Sequence, residues 1–193
     1  MFNTKAKPTD KVAALLSSSG NPTEGSRAGG VFKIECFDAD GNPKWSSESH
    51  NLVVNVGLQD MNDKYFAGSS YTAAWYIGLY GAAASNTPAA SDTMASHAGW
   101  TEVTTYSQAT RPACSFGSAT VADPSVISNS ASTATFSVNG TTTIGGAFLV
   151  SDNTKGGTSG VLFSAADFQA PGDRSVVSGD TLNVTYTFSL DAA

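Results

Sequence analysis

A chain of 193 residues is long enough to bury one sizeable core, and only 13% of it is charged, about half the usual share. Its formal net charge of -6 leaves little for the clustered Lys and Arg of a phosphate groove, which excludes nucleic acid as the expected partner. No apolar run approaches the length of a membrane span, so no membrane partner is expected either.

Ser and Thr hold roughly a quarter of the positions, so hydroxyls, Asn and Gly rather than charge must cover the surface. That balance suits short strands joined by polar turns, because Thr favours the pleated surface while Gly, Asn and Ser form turns. Cys36 and Cys114 both fall in strand-like text, far below the cysteine density of a disulfide scaffold. Two reduced, buried thiols are expected.

Residues 1–30 read as an extended N-terminal arm carrying Lys5, Lys7, Lys11 and Arg27, broken by Pro8 and Pro22 and closed by Gly29 and Gly30. Within it, Asp10 to Leu16, with Leu15 and Leu16, can form two helical turns started by Thr9, too few to be stable without a surface to dock on. The apolar core of this stretch is too short for a secretory signal, which points to synthesis in the cytosol.

From Val31 to the C-terminus the text is that of one β-sandwich domain, residues 31–193. VFKIECFD, the turn ADGNP and KWSSES predict a hairpin that continues into NLVV by about residue 54. VGLQDMNDKYF places Leu58, Met61 and Tyr65 at helical spacing, with Asn55 as cap and Gly68 past the end, so one short helix is expected. WYIGLYG is an apolar run short enough for a buried strand. The stretch from 81 to 99 reads as a long loop with a helical turn near Asp92 to Ser96, and loops of this length are usually functional.

Further strands are predicted near 101–106, 111–121, 133–138, 143–150, 160–165 and 181–190. In the last, Leu182, Val184, Tyr186, Phe188 and Leu190 alternate with polar residues, so one face is core and the other wet. Its expected partner is TATFSV, with Phe136 and Val138 inward. Turn pairs such as Asn139-Gly140 and Gly156-Gly157 recur, and many short strands so punctuated predict a mainly β, antiparallel sandwich of jelly-roll or immunoglobulin type.

Little in this text is reactive. Asp38 to Asn42 alternates oxygen ligands as a calcium loop does, but Gly41 stands fourth instead of sixth and Ser49 replaces the bidentate Glu, so it reads as a turn. His50 and His97 are not at zinc-ligand spacing. No nucleophile elbow, P-loop or dinucleotide motif occurs. Glu35, Glu48 and Glu102 could supply a glycosidase pair, although the first two fall in the hairpin. The aromatics Trp75, Tyr76, Tyr80, Trp100 and Tyr106 suit core packing better than a sugar platform. Arg111 and Arg174 read as internal ion-pair or carbonyl partners. No catalytic, cofactor-binding or metal residue is expected, and no cofactor.

The run VFKIECFDADGNPKWSSESHNLVVNVGLQDMNDKYFAGSSYTAAWYIGLYG, then DTMASHAGWTEVTTYSQATRP and the closing SGDTLNVTYTFSL, resembles a group of tailed-phage virion proteins. The likeness spans about residues 30–190 and leaves the arm outside it. It implies a small β-rich structural protein of the virion, a head decoration, head fibre or tail-associated component, without catalytic residues. Its implied partners are the major capsid protein or tail and neck proteins, and other copies of itself, as in the trimers common among such proteins.

Two functional expectations follow. In the first, a decoration or cement protein binds the assembled head through arm residues Lys5, Lys7, Lys11, Leu15, Leu16 and Arg27. In the second, a tail fibre, collar or receptor-binding module presents loop residues Asp92, His97 and Trp100 to host glycan.

Overall fold

The computed structural model describes residues 26–71, 74–81, 87–168 and 172–192. Among them it forms two antiparallel sheets and one helix, the mainly β arrangement expected from the turn-rich sequence. The first sheet has the order β2 (Pro43–His50), β1 (Ser26–Phe37), β10 (Thr181–Ala192), with β5 (Ser125–Ser128) and β6 (Ala134–Ser137) sharing the far edge of β10. The second runs β3 (Leu52–Val53), β8 (Leu162–Asp167), β7 (Thr142–Val150), β4 (Tyr76–Gly81), with β9 (Arg174–Val176) also on β7. A core cluster drawn from both sheets, including Phe32, Ile34, Leu149, Phe136, Leu182 and Tyr186, joins them face to face.

The first hairpin forms as the sequence predicts. Asp38 Oδ1 accepts from the amides of Asp40 and Asn42, and Gly41 takes a φ of 84°, which closes the turn. The strand reaches further back than expected, however. Ser26 to Gly30 belong to β1, paired with Ala192 to Phe188, so the last five residues of the predicted arm, Arg27 among them, are sheet. Twelve ladder positions against β10 outweigh the cost of two glycines in a strand.

The closing strand pairs with β6 as expected, and Phe136 and Val138 are buried. Along the same edge of β10 the chain crosses from β5 to β6, and there the buried Asn129 takes the place of a strand. Its amide donates to the Val184 carbonyl at 3.2 Å and its Oδ1 accepts from the Tyr186 amide at 2.7 Å. A side chain thus completes a backbone ladder that would otherwise leave buried groups unpaired.

The predicted strands at 101–106 and 111–121 do not form. Short pieces at 101–103 and 112–114 follow the open edge of β4, through Gly81 N to Thr101 O, Val103 N to Leu79 O and Ile77 N to Pro112 O. Between them residues 104–111 loop out to the other sheet, where Tyr106 bridges to Val138 and Ser107 N donates to Ser137 O. Alternation predicts strands here, yet the excursion closes one side of the sandwich and cannot stay in a ladder. β5 and β9, four and three residues long, carry too little pattern to be foreseen.

The helix α1 (Asn55–Tyr65) is present, but Val54 rather than Asn55 is the cap residue and makes no side-chain cap bond. The Asn55 amide instead donates to Ala90 O at 2.8 Å, so a distant loop satisfies it. The apolar stripe is not a core stripe: Met61 packs inward, while Leu58 and Tyr65 are exposed. The helix lies against β8 through Gly57, where a Cβ would overlap the Phe163 carbonyl. Contact at a glycine brings the backbones close and leaves the larger side chains outside.

Candidate binding cleft

The structure draws Asp92, His97 and Trp100 together, but turns them inward. Trp100 is buried against Tyr80 and Phe148, with ring centroids 5.1 and 5.2 Å away. Asp92, also buried, accepts from the Trp100 indole at 3.3 Å and from the Ala89 amide at 3.0 Å. His97 stacks on Trp100 at 3.7 Å and its Nδ1 meets the Trp100 carbonyl at 3.0 Å, so Nδ1 carries a proton. Residues 87–100 form a knot that covers the outer face of the second sheet, with a Thr93–Ser96 bridge where a helical turn was expected. Trp100 therefore offers no free ring face to a sugar.

Of the carboxylates weighed for glycoside chemistry, Glu102 is consumed by structure. Its two oxygens accept from Arg111 Nε and Nη2 at 2.9 and 2.7 Å, and Arg111, buried, also donates to the carbonyls of Asp152 and Gly157. This clamp ties the ends of the 104–111 excursion to the 152–157 turn. Glu48 stands exposed opposite Lys33, and Glu35 pairs with Lys33 at 2.9 Å on the wet face of the first sheet. Among the described residues, no three His, Cys, Asp or Glu side chains gather as metal ligands.

Lys5, Lys7, Lys11, Leu15 and Leu16 lie outside the described residues. Arg27 lies on β1 opposite Asp191. Both cysteines are free and buried, and burial pushes Cys36 up to about 11 and Cys114 up to about 12, so neither is a ready nucleophile near neutral pH.

An apolar cleft of about 680 Å³ opens between the sheets at one end of the sandwich, and the sequence did not reveal it. Its floor is Leu149, Phe163, Tyr186 and Phe188, and its walls are α1 on one side and the 113–117 segment with Phe116 on the other. The Tyr186 hydroxyl is engaged by Asn51 Nδ2 at 2.8 Å and Ser164 Oγ at 3.2 Å, and burial raises its ionisation well above the ordinary phenol value. Charge stands at the rim, where Lys64 faces Asp60 at 4.0 Å and bonds the Ser70 carbonyl.

Beside that rim three aromatics stand in solvent: Tyr65 is 83% exposed, Phe66 79% and Tyr71 66%. Tyr65 and Phe66 pack edge to face at 4.8 Å, so they present one surface rather than separate side chains. The sequence signal for this patch was the second aromatic, Phe66, just past the helix period. The arrangement can hold apolar groups, with no reactive side chain among the described residues poised over them.

No family model matches the chain, and no curated protein or solved structure matches it.

Proposed function

We propose that this chain is a non-catalytic structural component of a tailed-phage particle, a head decoration protein that holds the assembled shell through its N-terminal arm and the aromatic end of the sandwich. The observation that carries this reading is the coincidence of attachment features at one end. Phe188 pairs with Gly30 and Ala192 with Ser26, so the chain leading into β1 joins the domain at the end where the cleft and the exposed aromatics lie. The buried clamp of Arg111 and Glu102 and the engaged Tyr186 support a rigid scaffold rather than a reaction centre. The likeness of residues 30–190 to virion proteins supports the particle, and copies repeated over a shell would make weak contacts strong together.

The exposed aromatic trio also favours a second reading, a tail-associated receptor module stacking host sugar on Tyr65, Phe66 and Tyr71 rather than on Trp100. One experiment separates the two: electron cryomicroscopy of particles of the phage that encodes the chain. Density at capsomer junctions with Tyr65 and Phe66 against the shell is the expected result. Density at the tail would favour the receptor reading, and absence from the particle would overturn both.

A further inference from the structure

The turn at Asn139-Gly140, where the chain leaves β6 of the first sheet for β7 of the second, is the one Asn-Gly pair in the sequence. We infer that Asn139 is a site of spontaneous covalent modification, its side-chain amide being converted to a carboxylate and its backbone, in part, rerouted as an isoaspartyl linkage.

The pair is open at both reacting groups. Asn139 is exposed, and among the described residues nothing hydrogen-bonds its side chain or the Gly140 amide. The Asn139 amide reaches the Thr105 carbonyl only at 3.4 Å, beyond the usual length for an N–H donor, so the backbone is loosely held. Gly140 has no Cβ to obstruct the approach of its nitrogen to the neighbouring side chain.

The other described asparagines lack one or other of these conditions. Pro43 follows Asn42 and has no N–H, and the Thr154 amide after Asn153 is held by Asp152 Oδ1 at 2.8 Å. Asn51 gives its side-chain amide to the Tyr186 hydroxyl, and Asn129 engages both ends of its amide on β10. Asn55 and Asn62 lie in α1 and Asn183 in β10, where helix or ladder bonds fix the backbone.

The chemistry needs only water. Hydroxide removes the Gly140 amide proton, and the nitrogen attacks Cγ of Asn139. As the Cγ–Nδ2 bond breaks, the leaving nitrogen takes a proton from water and departs as ammonia, closing a five-membered succinimide. Water then opens the ring. Attack at Cγ gives an ordinary Asp, whereas attack at the main-chain carbonyl leaves the chain running through the side chain, one methylene longer.

The position joins three parts of the fold. Val138 bridges to Tyr106 and donates its amide to the Asp180 carbonyl, while Ser107 N donates to Ser137 O. A longer backbone one residue further on shifts this junction and loosens the 104–111 excursion from the first sheet. The β1–β10 ladder is untouched.

This modification is a property of the chain itself and does not depend on the particle role. The test holds the full-length chain for days in mildly alkaline buffer, folded and separately in denaturant. Peptide mass spectrometry and methyl labelling by an isoaspartyl methyltransferase then map the products. In the folded chain Asn139 should convert many-fold faster than Asn153 or Asn183, at a rate that rises with hydroxide and with isoaspartate as the main product. Asn139→Gln, whose side chain would have to close a less favourable six-membered ring, should abolish conversion here and leave the thermal midpoint unchanged. In aged wild type, amide exchange at Ser107 and Val138 should quicken while β1 and β10 keep their protection. An Asn139 that converts in denaturant but stays intact in the folded chain would overturn the inference, because the fold would then close the site. Conversion equally fast at Asn153 and Asn183 would overturn it as well, since the openness of this turn would not be what selects it.

Discussion

The two sheets share a backbone pattern and differ in what covers their outer faces. In the first sheet, Phe32, Ile34 and Cys36 of β1 are buried while Lys33 is half-exposed and Glu35 pairs with it outside. In the second, every residue of β7 from Ile144 to Val150 is buried, and so is β8 from Leu162 to Ala166. The reason is a second apolar layer on the outer face, where Tyr80, Phe148 and Val150 cluster with Met94 and Trp100 of the 87–100 segment. A one-sided sheet depends on its ladder and its inner face. A two-sided sheet depends also on irregular chain, which must be fastened by specific polar contacts.

The sharpest way to break the second sheet is therefore to remove a fastening. Arg111→Met should cost about 3–5 kcal/mol, because it leaves the Glu102 carboxylate buried without its partner. Arg111→Met combined with Glu102→Leu should recover much of that loss in denaturant titration. A single variant as stable as the wild type would mean that the clamp does not hold the edge.

Trp100→Ala should cost a comparable amount, about 3–5 kcal/mol for a buried aromatic, and with a regional signature. Amide exchange is expected to quicken in β4, β7 and β8 while β1 and β10 keep their protection. Uniform loss across both sheets would show that the outer layer is not a separate dependency.

In the first sheet the matching weak point is Asn129. Asn129→Ala strips partners from the Val184 carbonyl and the Tyr186 amide, and a loss of about 1–3 kcal/mol is expected for each buried group left unpaired. Faster exchange at the Tyr186 amide would report it directly. On the wet face, by contrast, Lys33→Ala removes an exposed pair and should change stability by about 0–1 kcal/mol.

The smallest effect is expected at the β1–β2 turn. Hydrogen bonds from Asn42 and Asp40 hold Asp38 below its ordinary value of 3.8, so its contribution is complete above that pH and fades as pH falls through the lower folded value. The difference in thermal midpoint between wild type and Asp38→Ala should be present at neutral pH and shrink in acid. A gap that stayed constant down to the most acid pH would contradict a role for the ionised carboxylate.

Local pattern and turn chemistry made much of the fold legible. The Asp38–Asn42 turn, the alternation from Leu182 to Tyr186 and the helix after Val54 each depend on neighbours a few residues away, and those neighbours are written next to one another. The same pattern misled at 101–121, where strand-like text loops out between Val103 and Pro112 and is held by Tyr106 on Val138, while Arg111 pairs with Glu102 and the Asp152 carbonyl as an internal cation should. The reading of Trp100 as a core aromatic holds, although nothing beside an aromatic in a loop says which sheet it will cover.

The cleft was illegible for the same reason. Its lining comes from α1, β4, β5, β7, β8, β10 and the 113–117 segment, and each piece reads locally as core. By itself the sequence determined the strand-rich class, the first hairpin and the inward faces of the first sheet, since these follow from composition and from a period of two. Only the tertiary structure decided which aromatics stay in solvent, which carboxylate is clamped and where the core is left open, because burial is set by what the rest of the chain brings to each face.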